Sequence, residues 1–362
     1  MTLSFRSVDQ LMQKGVATGV FPGAVLLVAK DGEIRFERAY GHADNLTHHP
    51  VHNQTVFDLA SLTKPLATTL GVVKLLQEKK IELHQAVGSI LAPFKKPPRD
   101  VITVHHLLGH SSGLPDYRPY YLELEKLPAA KRREALRSLL AKEPLCTEPG
   151  QKVCYSDLGF MLLSWIVEAV TAERLDHYVQ NEIYNPLSID LFFQPLDKTL
   201  KKQEYAACEN CAWRGRVLEG VVSDENAYVV GGIEGHAGLF GTAGAVNDLL
   251  TVLLRTYCGT GEDGLFQSTW LNTIFKRHAD IDRALGFDSP AATGSSCGKY
   301  FSKESVGHLG FTGTSFWMDL EKRLVVVLLT NRVHPSRENT AIKTFRPKIH
   351  DAVMTSLGFS AV

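Results

Sequence analysis

Two β-hairpin signals stand at opposite ends of this chain. The first is AVLLVAK-DG-EIRFERAYG, from Ala24 to Gly41. An Asp-Gly pair between two β-rich runs is the strongest short hairpin signal, because both positions tolerate the positive φ of a tight turn. The second is SFWMD-LEKR-LVVVLLTN, from Ser315 to Asn331, and its return run Leu324 to Leu329 is apolar at every position. A continuous apolar run, in place of an alternating one, marks a strand covered on both faces. The chain between these ends reads as helix: Thr68 to Lys79, Ala129 to Lys142, Leu158 to Val170 and Ala245 to Tyr257 carry helical spacing, and Ile342 to Met354 closes the chain as an amphipathic helix. Lys95-Lys96-Pro97-Pro98, Glu148-Pro149-Gly150 and Gly231-Gly232 punctuate it. Strands at both ends with helices between predict an α/β (α+β) chain, with an antiparallel sheet built from both chain ends, flanked by helices, and a mostly helical domain inserted. The expected division is a discontinuous sheet domain, residues 1–78 and 230–362, around a helical domain, residues 79–229. A small-molecule site is expected in the crevice between them.

Charge narrows the partners. Lys+Arg and Asp+Glu are 39 each, so the formal net charge of the 362 residues is zero. A nucleic-acid binder needs a basic face, and a polybasic membrane-surface protein needs the same, so neither partner is expected. No apolar run reaches the roughly 18 residues of a membrane-spanning helix. The start, MTLSFRSVDQLMQKG, lacks the basic-then-apolar pattern of a secretory leader, so a cytoplasmic location is expected. Six cysteines are too few for a disulfide scaffold, and the single Cys208-x-x-Cys211 pair has no second pair beside it to complete a zinc site. No metal and no organic cofactor are expected.

Three serines compete as nucleophiles. Ser61-Leu62-Thr63-Lys64 is an S-x-x-K, and a spacing of three puts both side chains on one helix face. With 21 serines and 21 lysines in 362 residues, about one such match arises by chance, and Ser296-Cys297-Gly298-Lys299 is another. That second match lies in the Gly/Ser-rich AATGSSCGKY, which reads as loop. Gly109-His110-Ser111-Ser112-Gly113 is a G-x-S-x-G, but Pro115 and Pro119 follow it and forbid the helix that a nucleophile elbow requires. It reads as a turn closing a helix. Ser61 instead follows the extended Val56 to Ala60 and precedes a helical run, with Pro65 fitting only a first helical turn. A helix start offers free N–H groups and a positive dipole end to a developing anion.

Lysine has a reference pKa of about 10.4 and must lose its proton to act as a base, so a phenol close by is a useful partner. Tyr155-Ser156-Asp157 enters the helix at Leu158 and offers one. The Gly-rich Gly307-His308-Leu309-Gly310-Phe311-Thr312-Gly313 precedes the C-terminal hairpin and permits close backbone approach to a ligand. His308 there is expected to titrate near neutrality. The set Ser61-Leu62-Thr63-Lys64, Tyr155-Ser156-Asp157 and His308-Leu309-Gly310 resembles the superfamily of serine β-lactamases, penicillin-binding proteins and esterases, in its class C-like branch. HHLLGHSSGLP (His105 to Pro115) and GHAGLFGTAGAVNDLL (Gly235 to Leu250) extend the resemblance over about Phe21 to Asn331.

The resemblance implies an acyl-enzyme on Ser61. Lys64 and Tyr155 would move its proton, and the backbone N–H groups of Ser61 and Phe311 would form the oxyanion hole. Asp157, His308 and Gly310 would contact a small ester, amide or β-lactam-like substrate. Two positions depart from the branch. Asp157 stands where it often has Asn, and its charge would hold Lys64 protonated. His308 stands where β-lactamases and peptidases carry Lys, followed by Leu309 in place of a hydroxyl. Both changes at 308 and 309 point to neutral esters or amides, with a D-amino-acid peptidase or β-lactamase as the alternative and an inert scaffold as the reading from another class. The polar cluster Asp224, Glu225 and Asn226 is expected to be structural.

Overall fold

The computed structural model describes residues 4–261 and 264–359. Its strands, in chain order, are β1 (Gly23–Lys30), β2 (Glu33–Asp44), β3 (His49–Pro50), β4 (Phe57–Asp58), β5 (Phe192–Phe193), β6 (Asn210–Cys211), β7 (Arg216–Val217), β8 (Leu239–Gly241), β9 (Val306–Leu309), β10 (Ser315–Asp319) and β11 (Leu324–Thr330). The main sheet runs β3-β2-β1-β11-β10-β9, antiparallel throughout. Both chain ends therefore meet at its centre, where β1 and β11 pair from Ala24↔Thr330 to Lys30↔Leu324.

Period-two alternation divides this central pair between two cores. Val25, Leu27, Val325, Val327 and Leu329 face a large cluster shared with the helical part of the chain. Ala24, Leu26, Val28, Leu324, Val326 and Leu328 face a second cluster beneath the helices Arg6–Ala17 and Ile342–Ser356, with Met12, Phe345 and Ile349. All seven residues of β11 are buried, which is why that run carries no polar position. The expected hairpins and helices are present: Asp31-Gly32 turns β1 into β2, and Ala129–Lys142, Asp157–Thr171 and Ala243–Tyr257 are helical.

The segment after Ser61 differs from a plain α-helix. Ala60–Leu62 is a 3₁₀ turn, Lys64–Thr69 is π-helical, and the α-helix runs only from Leu70 to Gln77. A three-stranded ribbon, β4-β8-β5, holds the front of this segment against the middle of the chain. Among the described residues, no helix is long and apolar enough to cross a membrane.

Candidate active site

Ser61 sits in a turn clamped from three sides. The buried Asp58 carboxylate accepts the N–H of Ala60 at 2.9 Å and of Ser223 at 2.6 Å. Thr312 and Thr314, beyond β9, donate their hydroxyls to the carbonyls of Asp58 and Leu59. Thr63 donates to Ala60 O and accepts Leu239 N–H from β8. Ala60 is held at φ 48°, a left-handed conformation that costs a residue with a Cβ roughly 1–2 kcal/mol. Such strain persists only where the surroundings over-determine it, and it is common at functional sites.

Lys64 is fully buried, and its Nζ meets three groups. It lies 3.0 Å from Ser61 Oγ, 3.1 Å from His236 O and 2.8 Å from Asp157 Oδ1. The Tyr155 ring centroid is 4.8 Å away. Burial pulls the ammonium's pKa down, but Asp157 and Tyr155 together outweigh it, and the net direction is up. The Tyr155 phenol is also raised, by burial, against the pull of the Lys64 charge. The resting pair is an ammonium beside a neutral phenol.

Asp157 opens the helix Asp157–Thr171, directly after its cap Ser156, whose Oγ accepts Gly159 N–H at 3.2 Å and donates to Pro115 O at 2.6 Å. The G-x-S-x-G turn serves this corner. His110 Nδ1 accepts Ser156 N–H at 2.9 Å, and its ring stacks on Tyr155 at 4.6 Å. Ser111 within it is 1 % exposed and sealed in the interior. Ser296 lies in a loop, where its hydroxyl accepts Trp317 Nε1–H, and Lys299 bonds Asp351 through its backbone. The structure thus brings Ser61, Lys64, Tyr155 and Asp157 together and leaves the other two serines apart.

Ser61, Tyr155, Asp157, His308, Gly310 and Phe311 line one pocket of about 620 Å³. Gly310 lies at the turn from β9 into β10, where a Cβ would come within 2.0 Å of Thr314 Oγ1 and 2.8 Å of Leu59 O. The N–H groups of Ser61 and Phe311 have no acceptor among the described residues. His308 corrects an expectation. It is 1 % exposed, and burial, helped by the Lys64 charge, pulls its pKa down to about 4, so it is neutral at pH 7. A buried imidazole with one ring nitrogen on Leu309 O has lost the hydration that would let it charge near neutrality.

Sequence reasoning missed several groups here. Asp58 is the clamp described above, and burial raises its pKa to about 6. His236 Nε2 lies 2.9 Å from Asp224 Oδ1. Burial pushes the Asp224 carboxyl up, but His236 outweighs it and holds it at about 2. Asp224 also caps the helix Glu225–Val229, so it is both structural and pocket-lining. Part of the pocket lining is basic: Arg332, Arg337, Lys343 and Arg346. Arg337 is neutralised by Glu209 and Glu225. Arg332, Lys343 and Arg346 have no carboxylate partner among the described residues.

A sequence model of the Beta-lactamase family matches residues 8–348. This chain belongs to the Beta-lactamase family. As a Beta-lactamase family member it is an enzyme, a serine hydrolase. It is 34% identical over 376 residues to an N-acetylmuramyl-L-alanine amidase of Bacillus subtilis (strain 168), covering 92% of this chain and 82% of that one. Two solved structures share the fold. EstCE1, a hydrolase with promiscuous acyltransferase activity, superposes with a TM-score of 0.75 at 23% identity, covering 96% of this chain and 97% of EstCE1. The octameric penicillin-binding protein homologue of Pyrococcus abyssi superposes with a TM-score of 0.74 at 20% identity, covering 97% of this chain and 77% of that one.

Proposed function

We propose that this chain cleaves an ester or amide bond in a small substrate that carries a negative charge, through an acyl-enzyme on Ser61. The observation that carries the reading is Lys64 Nζ 3.0 Å from Ser61 Oγ, beside a pocket whose lining includes Arg332, Lys343 and Arg346, none of them with a carboxylate partner among the described residues. Ser61 Oγ attacks the carbonyl carbon. Its proton passes through the Lys64–Tyr155 pair to the leaving oxygen or nitrogen, as the C–O or C–N bond breaks. Water then gives a proton to the same pair as its oxygen bonds to the acyl carbon, the C–Oγ bond breaks, and the pair returns that proton to Ser61 Oγ as the carboxylic acid leaves. The free N–H groups of Ser61 and Phe311 receive the oxyanion. The four acids on the pocket wall, Asp157, Asp224, Glu225 and Asp288, each have a cationic partner, Lys64, His236, Arg337 and Arg283. The exposed Lys343 is left to attract a carboxylate, and Arg332 and Arg346, which donate to the backbone carbonyls of Phe311 and Gly310, add positive charge behind the turn. The Bacillus subtilis relative, an amidase by name, supports an amide as the scissile bond.

A second reading, neutral esters, is favoured by His308, which brings no charge to the pocket, and by Leu309, which brings no hydroxyl. One experiment separates the two. The kcat/KM for p-nitrophenyl hemisuccinate is compared with that for p-nitrophenyl butyrate, in wild type, Ser61→Ala and Lys343→Gln. The anionic ester is expected to be preferred by about tenfold, the size of one charge-assisted hydrogen bond, with the preference reduced by Lys343→Gln. A preference for butyrate establishes the neutral reading. Turnover and fluorophosphonate labelling that survive Ser61→Ala remove the acyl-serine mechanism.

A further inference from the structure

A second cluster of chemistry-bearing side chains lies outside the pocket, where the helix Val104–Leu108 meets the turn after Ser268–Phe275. His105 is buried, at 5 % exposure, and its ring has no hydrogen-bond partner among the described residues. Asp280 Oδ2 lies 4.0 Å from His105 Nε2. His278 packs on the same ring, centroid to centroid 5.3 Å, and His84 on it at 5.0 Å. Leu83 O accepts the N–H of His105 at 2.8 Å, which holds His84 alongside.

The donors converge. One ring nitrogen of His105, one of His278 and a carboxylate oxygen of Asp280 all lie within 4.8 Å of one another. His278 Nε2 is 2.9 Å from Thr273 O, an outer bond of the kind that fixes the tautomer of a metal-ligating imidazole and leaves its Nδ1 lone pair free. The turn is closed by His278 N–H on Arg283 O and Asp282 N–H on His278 O, and it presents Asp280 with its side chain 62% exposed.

We infer that His105, His278 and Asp280 form a binding site for a divalent transition metal of the zinc type. Two imidazoles and one carboxylate suit zinc, cobalt or nickel and do not suit calcium or magnesium, which take oxygen sets. Ligand atoms around tetrahedral zinc lie about 3.4 Å apart, so the present spacing must close by about an ångström. Asp280, exposed on its turn, has the freedom to do this. Nothing in the hydrolytic reaction uses the site, so it stands or falls apart from the function proposed above.

The test is titration of the full chain, first stripped with a chelator, with ZnCl2 and CoCl2. Calorimetry reads stoichiometry and affinity, and the visible Co2+ spectrum reads ligand type. One equivalent of Zn2+ per chain is expected, with a Co2+ spectrum free of thiolate charge-transfer bands. His278→Gln is expected to weaken binding at least about tenfold, since even the loss of an outer partner costs that much. Asp280→Ala, on an exposed turn, gives the same reading should His278→Gln fold poorly. Three results overturn the site: no Zn2+ uptake, binding of wild-type strength in the folded variants, or a thiolate spectrum assigning the metal to the cysteines.

Discussion

The chemistry of Lys64 turns on one carboxylate oxygen. With Asp157 Oδ1 2.8 Å from Nζ, the ammonium is stabilised where burial alone would have released its proton. Asp157→Asn keeps the size of the group and removes the charge. The Lys64 pKa then falls, the free-base form is populated at lower pH, and the acidic limb of the kcat/KM profile is expected to move toward lower pH. A limb that stays in place, in a profile measured from pH 5 to 9 on one ester, would show that Asp157 does not govern the proton pair. Lys64→Ala and Tyr155→Phe are each expected to lower kcat by at least about a hundredfold, the scale of a positioned acid–base group. Stopped-flow acylation rates check this, and near-wild-type acylation in either variant removes its assigned part. The residues of this proton pair were legible in the sequence, because Ser61 and Lys64 are local to one another and Tyr155 opens a recognisable helix. Asp58 and His110 were not. Their partners, Ser223 N–H and Ser156 N–H, lie 165 and 46 residues away, and no periodicity or cap signal reports such a pairing.

At the scale of elements, the turn from β9 into β10 is the least forgiving part of the pocket. Gly310 N–H donates to Thr314 O at 2.7 Å, and Thr314 in turn reaches Leu59 O beside Ser61. A methyl group at position 310 would sit 2.0 Å from Thr314 Oγ1. Gly310→Ala therefore displaces Phe311 and the Ser61 turn together. Activity is expected to fall by about tenfold or more, on the scale of a misplaced oxyanion donor, while far-ultraviolet circular dichroism stays as in wild type. Unchanged kcat/KM in that variant would mean that the turn yields without moving Phe311. The sheet strands were readable because burial on both faces of β11 leaves a continuous apolar run, and because Asp31-Gly32 names its own turn. The 3₁₀ and π-helical opening after Ser61 was not readable. Local propensity there favours an ordinary helix, and the departure is imposed by contacts from β8 and from the segment after β9.

On the scale of the whole molecule, the buried histidines set how the fold meets acid. His105, His308 and His350 are held at about 4, chiefly by burial, and burial holds His110 well below the usual imidazole range. An unfolded chain protonates these groups near pH 6.5, while the folded chain does not until about 4. Between those values the unfolded state binds more protons, so stability is lost as pH falls through the window, by roughly 3 kcal/mol each for the fully buried His308 and His350. Asp58 acts with the opposite sign. Its carboxyl is raised from 3.8 to about 6, so the folded state takes up that proton first, and the fold gains as pH drops from 6 toward 3.8. Glu37, Glu234 and Asp248 are also raised by burial and act with Asp58, but the larger shifts of the buried histidines prevail, and urea midpoints are expected to fall from pH 6.5 to 4.5. Asp58→Asn removes the Asp58 contribution, and its one amide oxygen still accepts one of the two N–H groups, of Ala60 and Ser223, that the carboxylate accepts on separate oxygens. Its midpoint is expected to drop further over the same interval than that of wild type. Parallel curves for the two proteins would mean that Asp58 is ionised in the fold at pH 4.5, and that its burial is compensated by the two N–H groups it accepts.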